Sequence, residues 1–334
     1  MITARAITRT FAGRGGMLQR EPVRALRGVD FTIPDRGAVS FIGESGCGKT
    51  TLGRILCGFE EFDGGELHID GQSMGELRPR DRAPYFRRIQ MIHQDPYSAL
   101  NPTRTIGQIL ADPLELRARQ RDADAAWIRR RRAELLELVG LDPDYVLPRY
   151  PHMLSGGMRQ RVVIARALTV DPEVLVADEA VSMIDVSLRL GILQLLRDLR
   201  EEVGVSLLFI THDVATARYV GLGGELYVIY RGMVVERGGT DTVIQQPTHP
   251  YTQCLLSAIP VLRGIEEPGP ERIIPTGPLD DRTEPPGCLF EPRCPFAAAD
   301  CRATVPALGR LGDTEQEHAC LHPARRSVVA VGLR

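Results

Sequence analysis

The sequence predicts an α/β fold built on a parallel sheet, and three observations carry that expectation. Short continuous apolar runs at 174–177 and 206–210, with Val39, Phe41 and Ile42 earlier in the chain, read as strands covered on both faces. Between the two later runs, Leu188, Ile192, Leu195, Leu196 and Leu199 recur at helical spacing. The strand holding Val39, Phe41 and Ile42 leads through a glycine-rich loop into a second helical pattern, Leu52, Ile55 and Leu56, so strands and helices alternate as βαβ units.

The 334 residues suffice for one large domain with a substantial core and a smaller appendage. With 41 basic against 43 acidic residues, a formal net charge of -2 gives no electrostatic case for a nucleic-acid partner. No apolar run approaches the roughly eighteen residues that span a bilayer, and the first eleven or so lack the apolar block of a signal peptide. A cytoplasmic chain is therefore expected. In that compartment seven cysteines argue against a disulfide framework and for metal ligation or incidental thiols. Cys47, Cys57 and Cys254 read as isolated small apolar residues.

Near the N-terminus, Val29, Phe31 and Ile33 alternate with Asp30 and Thr32, the pattern of a half-buried strand. Leu67 and Ile69 run into Asp70-Gly71, a hairpin turn, so an antiparallel β subdomain should flank the glycine-rich loop. From residue 79 to about residue 154 the pattern changes. Pro84 and Pro96 interrupt it, 106–116 and 127–139 read as helices, and Gly140 is a plausible stop. These mark an inserted helical subdomain at about 95–165. The four arginines at 129–132 precede Leu135, Leu136 and Leu138, and read as the solvated start of an amphipathic helix rather than a nucleic-acid or lipid patch. Beyond Gly238 thirteen of the 24 prolines fall between Pro247 and Pro323, which reads as a separate region of little regular structure. The expected division is 1–245 for the main domain and 246–334 for the C-terminal region.

Gly43-Glu44-Ser45-Gly46-Cys47-Gly48-Lys49-Thr50 fits the phosphate-binding pattern G-x-x-x-x-G-K-[ST] of P-loop NTPases. Wrapping phosphates in backbone N–H groups demands close approach and unusual dihedrals, which Gly43, Gly46 and Gly48 supply. The helix beginning at Lys49 points its positive dipole end at the anion; Lys49 reaches the outer phosphates, Thr50 binds Mg²⁺, and Thr51 lies in the same first turn. Lys49 is the only lysine among the 41 basic residues. A compact three-donor ammonium suits this loop where a planar guanidinium would not.

Three further stretches name a family. Leu154-Ser155-Gly156-Gly157-Met158-Arg159-Gln160 resembles the LSGGQ signature of ABC ATPases. The run 174–177 followed by Asp178-Glu179 resembles their Walker B strand, with Asp185 as the D-loop aspartate. Phe209-Ile210-Thr211-His212-Asp213 is similar to their switch-histidine strand, and Gln94 to their Q-loop. This resemblance implies that Asp178 and Gln94 hold Mg²⁺ with Thr50, that Glu179 polarises the attacking water, and that His212 donates to the γ-phosphate. Phe11 matches the adenine-stacking position, with a core phenylalanine as the alternative. Ser155, Gly156 and Gly157 precede a helix and form a second phosphate-facing N-terminus, which in the family closes over a partner's ATP. A second ABC ATPase subunit is thus implied.

Gln94-Asp95-Pro96-Tyr97-Ser98-Ala99-Leu100-Asn101-Pro102, Arg149-Tyr150-Pro151-His152, Thr248-His249-Pro250-Tyr251-Thr252 and the cysteine-bearing stretch from Gly287 to Cys301 resemble the oligopeptide/dipeptide/nickel importer ATPases. The wording at Leu100-Asn101-Pro102 and Arg149-Tyr150-Pro151-His152 is closer to the F-type than to the D-type subunit. The resemblance implies a D-type partner chain, two membrane permeases, an extracytoplasmic binding protein and a peripheral place on the cytoplasmic face of the inner membrane. Peptide is the expected cargo, and nickel or another solute the alternative. A soluble ABC ATPase would call for two nucleotide domains in one chain, a long coiled coil or a strongly basic face. Ala180, Met183, Ile184 and His93 depart from the family's usual wording, as do Gly221, Gly223 and Gly224, without touching the phosphate-handling positions.

Cys288, Cys294, Cys301 and Cys320 are spaced x5, x6 and x18 in the proline-rich region. Four thiolates suit zinc or an iron–sulfur cluster, and tight C-x2-C pairs are absent. The family resemblance favours a [4Fe–4S] cluster, with Zn²⁺ as the alternative and no metal as a third reading; His318 and His322 read as surface residues.

Overall fold

The computed structural model describes residues 1–13, 22–258, 272–277 and 284–328. In chain order its strands are β1 (Ile2–Phe11), β2 (Val23–Ile33), β3 (Ala38–Ile42), β4 (Gly64–Ile69), β5 (Gln72–Ser73), β6 (Ile89–Ile92), β7 (Val174–Asp178), β8 (Ser206–Thr211), β9 (Glu225–Tyr230), β10 (Met233–Gly239), β11 (Gly309–Arg310) and β12 (Glu317–His318). β1, β2, β4 and β5 form an antiparallel sheet in the order β2-β1-β4-β5. The others form a mixed sheet in the order β11-β12-β10-β9-β3-β8-β7-β6, parallel from β9 to β6.

The parallel strands are apolar end to end because each of their faces packs on a different layer. Along β8, Leu207 and Phe209 join the core shared with the helical subdomain, whereas Leu208 and Ile210 join the core shared with the antiparallel sheet. β7 divides the same way, Leu175 and Ala177 against Val174 and Val176. Phe41 on β3 is fully buried where the two sheets meet, edge-on to Phe31 at 5.5 Å and stacked on Tyr227 at 4.9 Å.

The expected helices form within the insert. Ile106–Arg121 opens on a capping box, in which the Thr105 hydroxyl accepts the Gln108 N–H at 3.3 Å and the Gln108 side chain accepts the Thr105 N–H at 2.9 Å. Ala125–Leu138 starts at Asp124, whose carboxylate accepts the Trp127 N–H. Its arginines divide: Arg129 and Arg130 are exposed, while Arg131 pairs with Asp171 and Arg132 donates to the Gly107 carbonyl.

Four local readings need correction. β6 is not anticipated by the sequence pattern: it lies just before the helical subdomain expected at about 95–165 and runs parallel to β7, and four residues are too few to distinguish strand from helix by period alone. Pro84 sits inside the helix Pro79–Phe86 instead of interrupting it. Leu188 belongs to the helical stripe by spacing but is 43% exposed. The stretch beyond Gly238 is not structureless: it forms the helices Thr240–Gln245 and Pro250–Ser257, and β11 and β12 extend the main sheet past β10. Residues 259–271 and 278–283 of that stretch lie outside the described residues.

A buried carboxylate fastens that extension. Glu236 on β10 accepts the Thr248 N–H at 2.7 Å, the His249 N–H at 3.0 Å and the Gln316 amide at 2.6 Å. Burial pushes its carboxyl up to about 7, against the pull of these donors. An acid whose pKa is higher folded than unfolded keeps a proton that the unfolded chain has released, so its contribution to stability falls as pH rises from about 4.5 to about 7. Glu236→Gln cannot ionise and should gain on the wild type across that window, read as the difference in melting temperature at its two ends. Phe41→Ala should cost about 3–5 kcal/mol in denaturant unfolding, because it empties the joint between the sheets.

Candidate active site

The loop from Gly43 to Thr50 connects β3 to the helix Lys49–Leu56. Gly48 adopts φ 108°, and a Cβ there would run into the Ala25 carbonyl oxygen; one at Gly43 would strike the Ile229 carbonyl oxygen. Neither position admits a side chain. Ser45, Gly46 and Thr50 are exposed, whereas Cys47 is buried, its thiol pushed up by burial against the pull of Lys49. Lys49 is 4% exposed and its ammonium donates to the Gly43 and Glu44 carbonyls at 2.7 and 2.9 Å. The lysine thus braces the loop from inside while its helix carries Thr50 and the half-buried Thr51.

The carboxylates meet this loop from β7. Asp178 ends the strand, and its Oδ1 accepts the Thr50 hydroxyl at 3.1 Å. In a continuing strand Glu179 would point to the opposite face. Instead Glu179 takes φ 48°, a left-handed conformation costing a side-chain residue roughly 1–2 kcal/mol, and the turn keeps both carboxylates at one edge. Two neighbours then clasp Glu179. Gln94 donates to its Oε2 at 3.1 Å, and His212 Nδ1 lies 3.3 Å from its Oε1. Gln94 follows β6 and His212 follows β8, the two parallel neighbours of β7. The strand that sequence pattern missed is therefore the one that delivers Gln94.

Oxygen donors at Thr50 and Asp178 suit a hard divalent cation such as Mg²⁺. Burial raises the Asp178 carboxyl above the usual range, and the Glu179 charge raises it further, while Thr50 pulls the other way. Two acids held together in this way repel unless a cation stands between them.

Ser155 caps the helix Gly156–Leu168, its hydroxyl accepting the Met158 N–H at 3.3 Å. Among the described residues no hydrogen bond joins Ser155, Gly156 or Gly157 to the loop at 43–50. Asp185 is exposed at the start of the helix Val186–Asp198. Phe11 ends β1 half-buried, outside the core clusters, with the Arg9 guanidinium 4.8 Å above its ring. Residues 14–21, just beyond it, lie outside the described residues.

Cys288, Cys294, Cys301 and Cys320 are free thiols lining one small cavity with His249, Phe290 and His322. Burial pushes Cys294 up to about 12 and Cys320 up to about 11, and the neighbouring sulfurs add to both. Of the two histidines read as surface residues, His322 is exposed and meets Asp300 at 2.8 Å, but His318 is 5% exposed. It belongs to β12, which the pattern did not reveal. Two residues on the same C-terminal stretch touch the phosphate loop: the Tyr251 hydroxyl accepts the Glu44 N–H, and Arg293 pairs with the Glu44 carboxylate. Their motifs are visible in the sequence, but nothing there points at Glu44.

Because burial raises the Asp178 carboxyl on folding, its contribution to stability is lost as pH rises from the ordinary carboxylate range through the raised one. Asp178→Asn should therefore melt at a higher temperature than the wild type at neutral pH, read by thermal unfolding of the two proteins.

The ABC transporter family model matches residues 26–182, and the model for the oligopeptide/dipeptide transporter C-terminal region matches residues 235–301. The dipeptide transport ATP-binding protein DppF of Haemophilus influenzae is 41% identical over 310 residues, covering 92% of this chain and 92% of that protein. The di/tripeptide transport ATP-binding protein DppF of Pseudomonas aeruginosa is 40% identical over 328 residues, covering 96% and 97%. Among solved structures, the dimeric post-hydrolysis state of the ATP-binding cassette MJ0796 bound to ADP and Pi aligns with a TM-score of 0.63 at 29% identity, covering 72% of this chain and 99% of that one. The chain belongs to the ATP-binding subunits of ABC transporters, in the group that carries the oligopeptide/dipeptide transporter C-terminal region.

Proposed function

We propose that this chain hydrolyses ATP as one half of a nucleotide sandwich that powers peptide import through two membrane permeases. The observation that carries the reading is the clasp on Glu179, held between Gln94 and His212 beside Asp178, Thr50 and the phosphate loop. Glu179 acts as the base that takes a proton from the attacking water. His212 keeps that carboxylate in line and has a second ring nitrogen for the outer phosphate. Lys49 and the loop's backbone N–H groups hold the phosphates. Mg²⁺ bound by Thr50 and Asp178, with Gln94 at its edge, would neutralise charge on the β- and γ-phosphates.

Ser155, Gly156, Gly157 and Asp185 serve the site of a second ATPase subunit, a reading supported by the family resemblance and by the exposure of Ser155 and Asp185. The names of the relatives support a peptide cargo, and the F-type wording supports a D-type partner. Among the described residues no helix is long and apolar enough to cross a membrane. The chain acts as a peripheral subunit on the cytoplasmic face, beneath permeases fed by an extracytoplasmic binding protein.

A [4Fe–4S] cluster on the four cysteines, with zinc as the alternative, is supported by the family resemblance and by their lining of one small cavity. Tetrahedral zinc with Zn–S bonds of ≈ 2.3 Å needs sulfurs about 3.8 Å apart. Among the described residues the trio of metal-type donor atoms within 4.8 Å of one another is Asp300, Cys301 and His322, not a set of cysteines. The four sulfurs line one small, partly open cavity and are not all drawn within 4.8 Å of one another. When bound, a cluster would tie together loops that bury little apolar surface.

Glu179→Gln should bind ATP as the wild type does and lower turnover by two or more orders of magnitude, about 10²–10⁴-fold for loss of a general base; near-normal hydrolysis would remove Glu179 from that role. Affinity purification from membranes should recover a second ATPase chain and integral membrane proteins. Recovery of the chain by itself would count against the transporter reading. Anaerobically prepared protein should be brown and bleach on reduction, whereas colourless protein with one zinc per chain would decide for the other metal.

A further inference from the structure

Two lines of contact run from the cysteine cavity to Glu44 in the phosphate loop. Arg293, next to Cys294, spreads its guanidinium across the Glu44 carboxylate, Nη1 to Oε2 at 2.8 Å and Nη2 to Oε1 at 2.9 Å. This is a two-bond fork with geometric specificity, and Arg293 is only 5% exposed. The same guanidinium donates to the Tyr230 hydroxyl at 3.4 Å and packs near the Phe290 ring.

The second line begins beside Cys320. The buried His249 lines the same cavity as Cys320, and its Nδ1 accepts the Tyr251 N–H at 3.0 Å. Tyr251, itself 1% exposed and wedged between Tyr230 and Phe290, then accepts the Glu44 N–H on its hydroxyl at 2.8 Å. Glu44 is thus gripped at both its backbone and its side chain from the C-terminal stretch. Its own carbonyl in turn holds Lys49.

A loop with three glycines loses much conformational freedom on ordering, so a nucleotide must supply that entropy unless the protein has done so first. We propose that Tyr251 and Arg293 are positioning residues for the phosphate loop, and that through them nucleotide affinity depends on the integrity of the cysteine cavity. This rests on reading the loop as the ATP site. Both lie outside the 43–50 loop and act through Glu44.

The test is titration of the full-length protein with MgATP and a fluorescent ATP analogue, with KM and kcat measured alongside. Tyr251→Phe removes a single oxygen, and Arg293→Gln removes the fork; each should weaken nucleotide binding by about tenfold, a change of about 1.4 kcal/mol, with kcat at saturating ATP little altered. Arg310→Gln, which removes an exposed guanidinium paired with Glu317 on the same C-terminal stretch and away from the cavity, should leave affinity unchanged. Cys294→Ser should weaken binding in the wild-type background and add nothing in the Tyr251→Phe/Arg293→Gln background. Wild-type affinity in both single variants would overturn the positioning role, and equal loss from Cys294→Ser in both backgrounds would overturn the link to the cavity. If Arg293→Gln does not fold, as judged by circular dichroism, Tyr251→Phe decides. Absence of ATP binding by the wild type would overturn the ATPase reading itself, a different outcome from indifference of the variants.

Discussion

The parallel order β3-β8-β7-β6 is the constraint on which the site depends. Parallel neighbours place their carboxyl ends at one edge of the sheet, so residues far apart in sequence arrive together without any loop having to reach for them. The phosphate loop leaves β3, Asp178 ends β7 with Glu179 in the turn just past it, His212 follows β8 and Gln94 follows β6. The strands tolerate this arrangement because both faces are buried, in cores shared with the helical subdomain and with the antiparallel sheet. Pairing strands so distant along the chain costs loop-closure entropy, which the two cores must offset.

At that edge the local conformations deviate from regular geometry. Glu179 is left-handed, and Gly43 and Gly48 occupy positions where a Cβ would meet a carbonyl oxygen. Such strain persists only where surrounding structure over-determines it. Here the surroundings are explicit: Glu179 donates its N–H to the Ile210 carbonyl at 2.9 Å, and Ser182 bonds back to its carbonyl at 2.9 and 3.0 Å.

The C-terminal stretch is the part whose role changes most once its fold is seen. Its prolines and cysteines suggest an appendage. Its two short strands instead continue the main sheet, a buried carboxylate at Glu236 ties its turn to β10, and Tyr251 and Arg293 reach the nucleotide loop. The burial of His318 follows from the same extension, since pairing opposite Glu236 carries it inside.

Local chemistry is what the amino-acid order determined by itself. The phosphate loop, the Asp178-Glu179 pair, the signature at Ser155, Gly156 and Gly157 and the strands at 174–177 and 206–210 are each written in a few contiguous residues whose physical demands are short-range, and they were legible for that reason. Tertiary structure decided the pairings. β6 is four residues with no period to declare it, Leu188 keeps helical spacing while facing outward, and no pattern near Glu44 points to Arg293, 249 positions away. Contacts of that separation are selected by the packing of whole layers, and packing is a property of the assembled sheet that no window of sequence contains.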